Sequence, residues 1–130
     1  MGKNKTIKEI CVLGTEYKII VKPASDTVTE RGHCDEILKQ IVVYDLAGHR
    51  DWKDEPSERI AAQMRETLRH EIVHAFLAES GLTESALSYE GAWATNEEMV
   101  DWFALQGMKI CRAWREAGAI EVETLKDCAE

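Results

Sequence analysis

An α+β fold, a small N-terminal antiparallel or mixed β-sheet packed against two long helices, follows from three features of the sequence. Short β-rich runs fill the first half, two stripes of helical period fill the second, and no break in composition separates them. The first strands are expected at Ile7 to Val12 and Tyr17 to Val21, with Leu13–Gly14–Thr15–Glu16 as a hairpin connection. Ile37 to Tyr44, which contains Ile41, Val42 and Val43, is the strongest strand signal. Pro23 to Glu36 is polar, contains Gly32, and reads as a loop or a weak edge strand. Ala47 to Arg59 reads as a charged loop leading into a helix.

Pro56 stands at the start of that helix, where a missing amide hydrogen costs little. Ile60, Met64 and Leu68 recur at intervals of four, and Ala61, Ile72 and Ala75 widen the stripe. The segment ends near Ser80, and Gly81 can take the left-handed cap. This is a helix of about 23 residues, roughly 35 Å long. From His70 to Ala78 it is apolar on nearly every side apart from two histidines and Glu71, so burial is expected. The second helix is announced by Thr95–Asn96–Glu97–Glu98, with Thr95 as cap and Glu98 at the capping-box position. Val100, Phe103, Ala104, Met108, Cys111 and Trp114 give it an apolar side, and Gly118 closes it.

The 130 residues suit a single domain, 1–130, and their 45 % hydrophobic content can supply one core. A net charge of −8 argues against a nucleic-acid partner, since phosphate binding needs concentrated Lys and Arg. No stretch has the length of a membrane span, and no apolar signal segment opens the chain. Cys11, Cys34, Cys111 and Cys128 lack CxxC spacing. Free thiols in a reducing cytoplasm are the expectation.

The chemistry is carried by His70–Glu71–Ile72–Val73–His74. Four residues turn a helix by about 40° beyond a full turn, so both imidazoles face one way and can share a zinc ion. Glu71 can lean toward the open coordination position and accept a proton from water there. Two histidines and a glutamate in this pattern arise by chance in under about 1 % of chains this long. Two of the four histidines therefore point to a metal centre with one zinc per chain.

A catalytic zinc normally takes a third protein ligand. Glu79 lies five residues past His74, about 140° around the axis, and cannot close a compact site on a straight helix. Glu84 and Glu90 in the connection remain open by spacing. Glu97 is the better candidate, because it enters on a second helix that can cross the first. Asp101, four residues on, can accept the second ring hydrogen of a ligand histidine. Both acids also suit a helix N-terminus simply as a negative first turn.

Together, His70–Glu71–Ile72–Val73–His74 and Asn96–Glu97–Glu98–Met99–Val100–Asp101 resemble the gluzincin pattern H-E-x-x-H…N-E-x-x-x-D. A closer resemblance is to small ImmA/IrrE-like, minimal-zincin metallopeptidases of bacteria and phages, which commonly show E-x-x-A-N-x-F-A after the metal helix. Here Glu97, Phe103 and Ala104 fit, while Val100 and Asp101 replace the usual Ala and Asn. The likeness covers mainly Leu68 to Ala104, with a weaker echo in Gly32–His33–Cys34–Asp35 before Ile41–Val42–Val43. A metzincin is a poor match, since Leu77 and Ser80 stand where its Gly and third His belong. The resemblance implies a zinc endopeptidase acting on an intracellular protein or peptide, in some members a repressor or regulator. It makes Glu97 the third ligand and Asp101 the support of a ligand histidine. The competing expectation is a zincin-derived regulatory or protein-binding module that keeps its metal for structure.

Peptide hydrolysis also needs an oxyanion donor, and Tyr89, His33 and Tyr44 are candidates, Tyr89 first. Phe103 and Trp114 are expected to pack the second helix, while Trp93 or Trp102 walls the cleft. Trp52 is the more exposed-looking aromatic. An edge strand beside the metal, with Ile41 to Tyr44 as contributor, would let an extended peptide add its backbone to the sheet.

Overall fold

The computed structural model describes residues 4–85 and 97–121. The first two strands, β1 (Lys5–Val12) and β2 (Thr15–Pro23), pair antiparallel across a two-residue turn. Leu13 and Gly14 both have positive φ there, 48° and 89°. A tight hairpin of this hand requires that conformation at both central residues. Leu13 bears the steric cost that glycine avoids, and its packing against the core offsets it. A register shift between Thr6 and Lys8 leaves Ile7 at the surface.

Two further strands, β3 (Gly32–Asp35) and β4 (Gln40–Asp45), form a second hairpin. It joins the first through a parallel pairing of β2 with β4, so the sheet is mixed, in the order β1-β2-β4-β3. The polar 23–36 segment thus supplies the edge strand. Ile37 and Leu38, expected to open the strong strand, are 87 % and 64 % exposed. Asp35 Oδ1 accepts from both of their amides, at 3.0 and 2.9 Å, and Lys39 takes a φ of 58°. That side chain closes a turn and delays the strand to Gln40.

A short 3₁₀ turn (Leu46–Gly48) leads toward α1 (Ser57–Glu79), which lies across β4 and β3. Ile72, Ala75 and Phe76 are essentially inaccessible and meet Tyr17, Ile19, Ile41 and Val43 from the sheet. At the far end Glu79 is tied to the sheet: it accepts from Tyr17 Oη and Lys39 Nζ, both at 2.6 Å, and from Thr15 Oγ1 at 3.0 Å. Glu79 is thereby committed to structure, in keeping with its exclusion as a ligand. Gly81, at φ 82°, follows, and α2 (Leu82–Ser85) is a single turn.

The second long helix, α3 (Glu97–Glu116), contacts α1 and β1. Trp102, Ile110, Ala113 and Ala117 are its buried positions, and Trp102 Nε1 donates to Ser80 Oγ at 3.1 Å. The apolar side expected from sequence is rotated: Phe103 is 46 % exposed, Met108 80 %, and Cys111 lies at the surface. Trp114 is half-buried, and its indole donates to Arg69 O. Among the described residues Cys11, Cys34 and Cys111 are free thiols, and no helix is long and apolar enough to cross a membrane. The Thr95 cap and Trp93 lie outside the described residues, as do the side chains of Val100 and Ala104.

Candidate metal centre

The periodicity of α1 decides which of its side chains meet. His70 and His74, one turn apart, bring their Nε2 atoms to 3.1 Å, with ring centroids 4.8 Å apart in an edge-to-face arrangement. Zinc bound at 2.0–2.1 Å to each of two nitrogens at a tetrahedral angle would hold them about 3.3 Å apart. The separation of the two nitrogens, here that of a hydrogen bond between the rings, is close to the one a shared ion would impose. Among the described residues, His70, Glu71 and His74 form the one group of potential ligand side chains gathered closely enough for a metal ion.

Glu71 differs from its neighbours in burial. Its side chain is 7 % exposed against 69 % for His70. One oxygen, Oε1, lies 3.9 Å from His70 Nε2, and the other, Oε2, is buried without a hydrogen-bond partner among the described residues. An orphaned carboxylate oxygen costs stability and is uncommon. Burial pushes the Glu71 carboxyl above the usual range, while His74, His70 and His33 pull it back.

The edge strand provides that burial. The β3–β4 register sets Cys34 opposite Ile41 and Gly32 opposite Val43, both core-facing residues, so Gly32 and Cys34 face α1. Gly32 makes the close approach possible. A Cβ on it would stand 2.6 Å from Val42 O, 2.7 Å from Thr67 Cγ2 and 3.6 Å from Glu71 Cγ. Two clefts meet at this crossing and share Gly32 and Glu71. One, of about 360 Å³, runs past His70, Thr67, Glu66 and Arg31. The other, of about 380 Å³, runs past His74, Cys34, Glu30 and Glu36. The sequence flagged Gly32 as a loop or edge-strand signal and as part of a likeness; its role in packing was not readable there.

No significant match to this chain emerges among protein-family models, curated proteins or solved structures. The likeness to an HExxH zinc motif accordingly rests on the residues and their geometry.

The remaining candidates are less concentrated. Glu97 and Asp101 lie in the first turns of α3, both exposed, and Glu97 is not a member of the three-residue group. His33 shares the sheet face of Val42, opposite the one that meets α1, and its ring stands 6.2 Å from that of Tyr44. Its Nδ1 donates to Glu30 Oε1 at 2.9 Å, and it reaches the second cleft from the strand edge. Trp52 is half-buried, with the Arg31 guanidinium 5.6 Å above its ring. Tyr89, Glu90 and the side chain of Glu84 lie outside the described residues. The edge strand at the site is β3, while Ile41 to Tyr44 is internal, paired on both sides because the parallel β2–β4 ladder occupies its other edge.

Proposed function

We propose that this protein is a zinc-dependent endopeptidase that cleaves an intracellular protein or peptide in the cytoplasm. The observation that carries the reading is the pairing of two converging imidazoles with a buried, partnerless carboxylate oxygen on the same helix. Zinc ligation alone would need His70 and His74 but not Glu71. When bound, zinc lowers the pKa of water and polarises a carbonyl.

His70 and His74 would hold the ion. Glu71 takes the proton from the attacking water and passes it to the leaving amine. Its burial strengthens it as a base, because desolvation disfavours the charged form. By the gluzincin resemblance, Glu97 completes the ligand set and Asp101 orients a ligand ring. Tyr89, outside the described residues, stays the first candidate for the oxyanion donor, ahead of His33 and Tyr44. The free edge of β3 lies beside Glu71 and suits an extended substrate that adds its backbone to the sheet.

The test compares wild type with Glu71→Gln on extracts of the source cell, with new protein termini read by mass spectrometry and zinc measured in both. Termini produced by wild type alone, with one zinc per chain in each, are expected. Equal cleavage by both proteins would refute Glu71 as the base. A second reading, a metal-bearing protein-binding module, is favoured by the exposed position of Glu97 outside the ligand group. It predicts capture of one uncleaved partner by both proteins.

A further inference from the structure

The outer face of α3 carries a pattern of its own. Glu98, Asp101, Leu105, Met108, Arg112 and Arg115 follow one another at alternating steps of three and four, the spacing of a coiled-coil seam. All six are exposed, Leu105 at 74 % and Met108 at 80 %. The helix meets the rest of the fold through its opposite side, where Trp102, Ile110, Ala113 and Ala117 are buried. None of the four charged members of the seam has an ion-pair partner among the described residues. A helix packed on a core ordinarily gives its outward face to polar groups along its whole length. Here two large apolar side chains stand at the middle of that face, with acids only before them and arginines only after.

We propose that this face joins two copies of the chain, α3 against α3, antiparallel about a two-fold axis that passes between residues 106 and 107. About that axis Leu105 stands level with Met108 of the second copy, and Glu98 with Arg115 of the second copy, each contact occurring twice. The apolar pairs lie in the middle and opposite charges meet at both ends. A parallel pairing would set Glu98 against Glu98 and Arg115 against Arg115, so charge selects the antiparallel one. The stripe is its own charge complement when read in reverse, which a second copy explains and an unrelated partner does not. Asp101 stands level with Arg112 in the same way, but the zinc reading gives Asp101 to a ligand histidine, so Glu98 and Arg115 carry the complementarity. The seam is short, and a contact of this size belongs to weak dimers, with Kd on the order of 100 µM. The interface uses neither zinc nor Glu71 and stands or falls apart from the peptidase reading.

The test is sedimentation velocity of the full chain from about 10 µM to 1 mM, the range in which a contact of this size is populated. A monomer–dimer equilibrium is expected. Leu105→Gln with Met108→Gln should weaken it by about tenfold or more, the scale of burying two apolar side chains on each copy. Both side chains are exposed in the monomer, so the urea midpoint at low micromolar concentration should not move. Glu98→Arg alone and Arg115→Glu alone should each weaken the dimer about fivefold or more, because an exposed attraction becomes a repulsion at two places. Combining them in one chain restores both pairs and the wild-type net charge, and should return Kd to within about twofold of wild type. The combined variant keeps whatever each change does to the helix ends, so its recovery cannot come from helix stability. A monomeric wild type overturns the proposal, whether the face is then bare, covered by another part of the chain, or used by a different protein. So does a dimer that the Gln pair leaves intact, or one in which the combined variant stays as weak as the single ones.

Discussion

Replacing Glu71 by Gln should make the metal-free protein more stable while removing its activity. The carboxylate is 7 % exposed, and Oε2 has no donor among the described residues, so its charged form is held in the fold at a cost. An unsatisfied buried polar group costs about 1–3 kcal/mol, and more when charged. The histidine 3.9 Å from Oε1 recovers part of this, and the glutamine amide still carries an unsatisfied group of its own. A net gain of about 1 kcal/mol remains, equivalent to a rise in Tm of roughly 4 °C for a domain of this size. The assay is thermal and urea unfolding in the presence of chelator, repeated with zinc in excess. At a thousandfold excess over Kd the ion should add about 4 kcal/mol to wild type and variant alike if, as proposed, Glu71 serves as base and not as ligand. A chelated variant less stable than wild type would refute the claim that the carboxylate is held at a cost. Loss of the zinc increment in the variant would make Glu71 a ligand.

His70→Ala and His74→Ala should each lower bound zinc at least tenfold by elemental analysis, whereas retention in both would remove the metal centre. Glu97→Gln should weaken zinc binding and Asp101→Asn should do so less, measured by competition with a chromophoric chelator; no change in either would move the third ligand elsewhere. Gly32→Ala should cost about 1–3 kcal/mol in urea unfolding, since the new methyl meets Val42 O and Thr67 Cγ2 below 3 Å. Lys39, Tyr17 and Thr15 hold the Glu79 carboxyl below its usual range. That stabilisation is full above about pH 4.5 and is lost as pH falls through the lowered folded-state value, so Glu79→Gln should flatten the acid limb of a Tm–pH curve.

The long helix and its motif were legible because they depend on local periodicity. Ile60, Leu68, Ile72 and Ala75 fix one face of α1, and the histidines fall where that period puts them. The polar edge strand was half-legible: Gly32 and the turn chemistry around it showed a break, but pairing is a long-range property. Only the parallel β2–β4 ladder makes Ile41 to Tyr44 internal and sends β3 to the edge. The orientation of α3 was misread because Phe103, Met108 and Cys111 mimic an apolar side. The register is decided instead by Trp102, which reaches Ser80 at the end of α1, and by small alanines at positions 113 and 117 that permit close packing. Hydrophobicity ranks such alanines low. Burial of the His70–Ala78 segment was expected from its apolar neighbours and holds for Glu71 but not for the two exposed histidines; the strand that packs over Glu71 lies some forty residues earlier and could not be read from local pattern.

That strand gives the site a property of its own. β3 has four residues and, among the described residues, hydrogen-bonds to β4 on one side only, so local opening there costs less than opening the β1-β2-β4 body of the sheet. Each such opening would move the Gly32 backbone away from Glu71 and loosen the packing that buries its carboxylate. The basicity of that carboxylate would thus vary with the fraying equilibrium of a short edge. Amide exchange at residues 32–35 should be faster than at Ile19 or Ile41. Any chain that pairs with the open side of β3 would slow it and, in the same act, hold the carboxylate in its buried state.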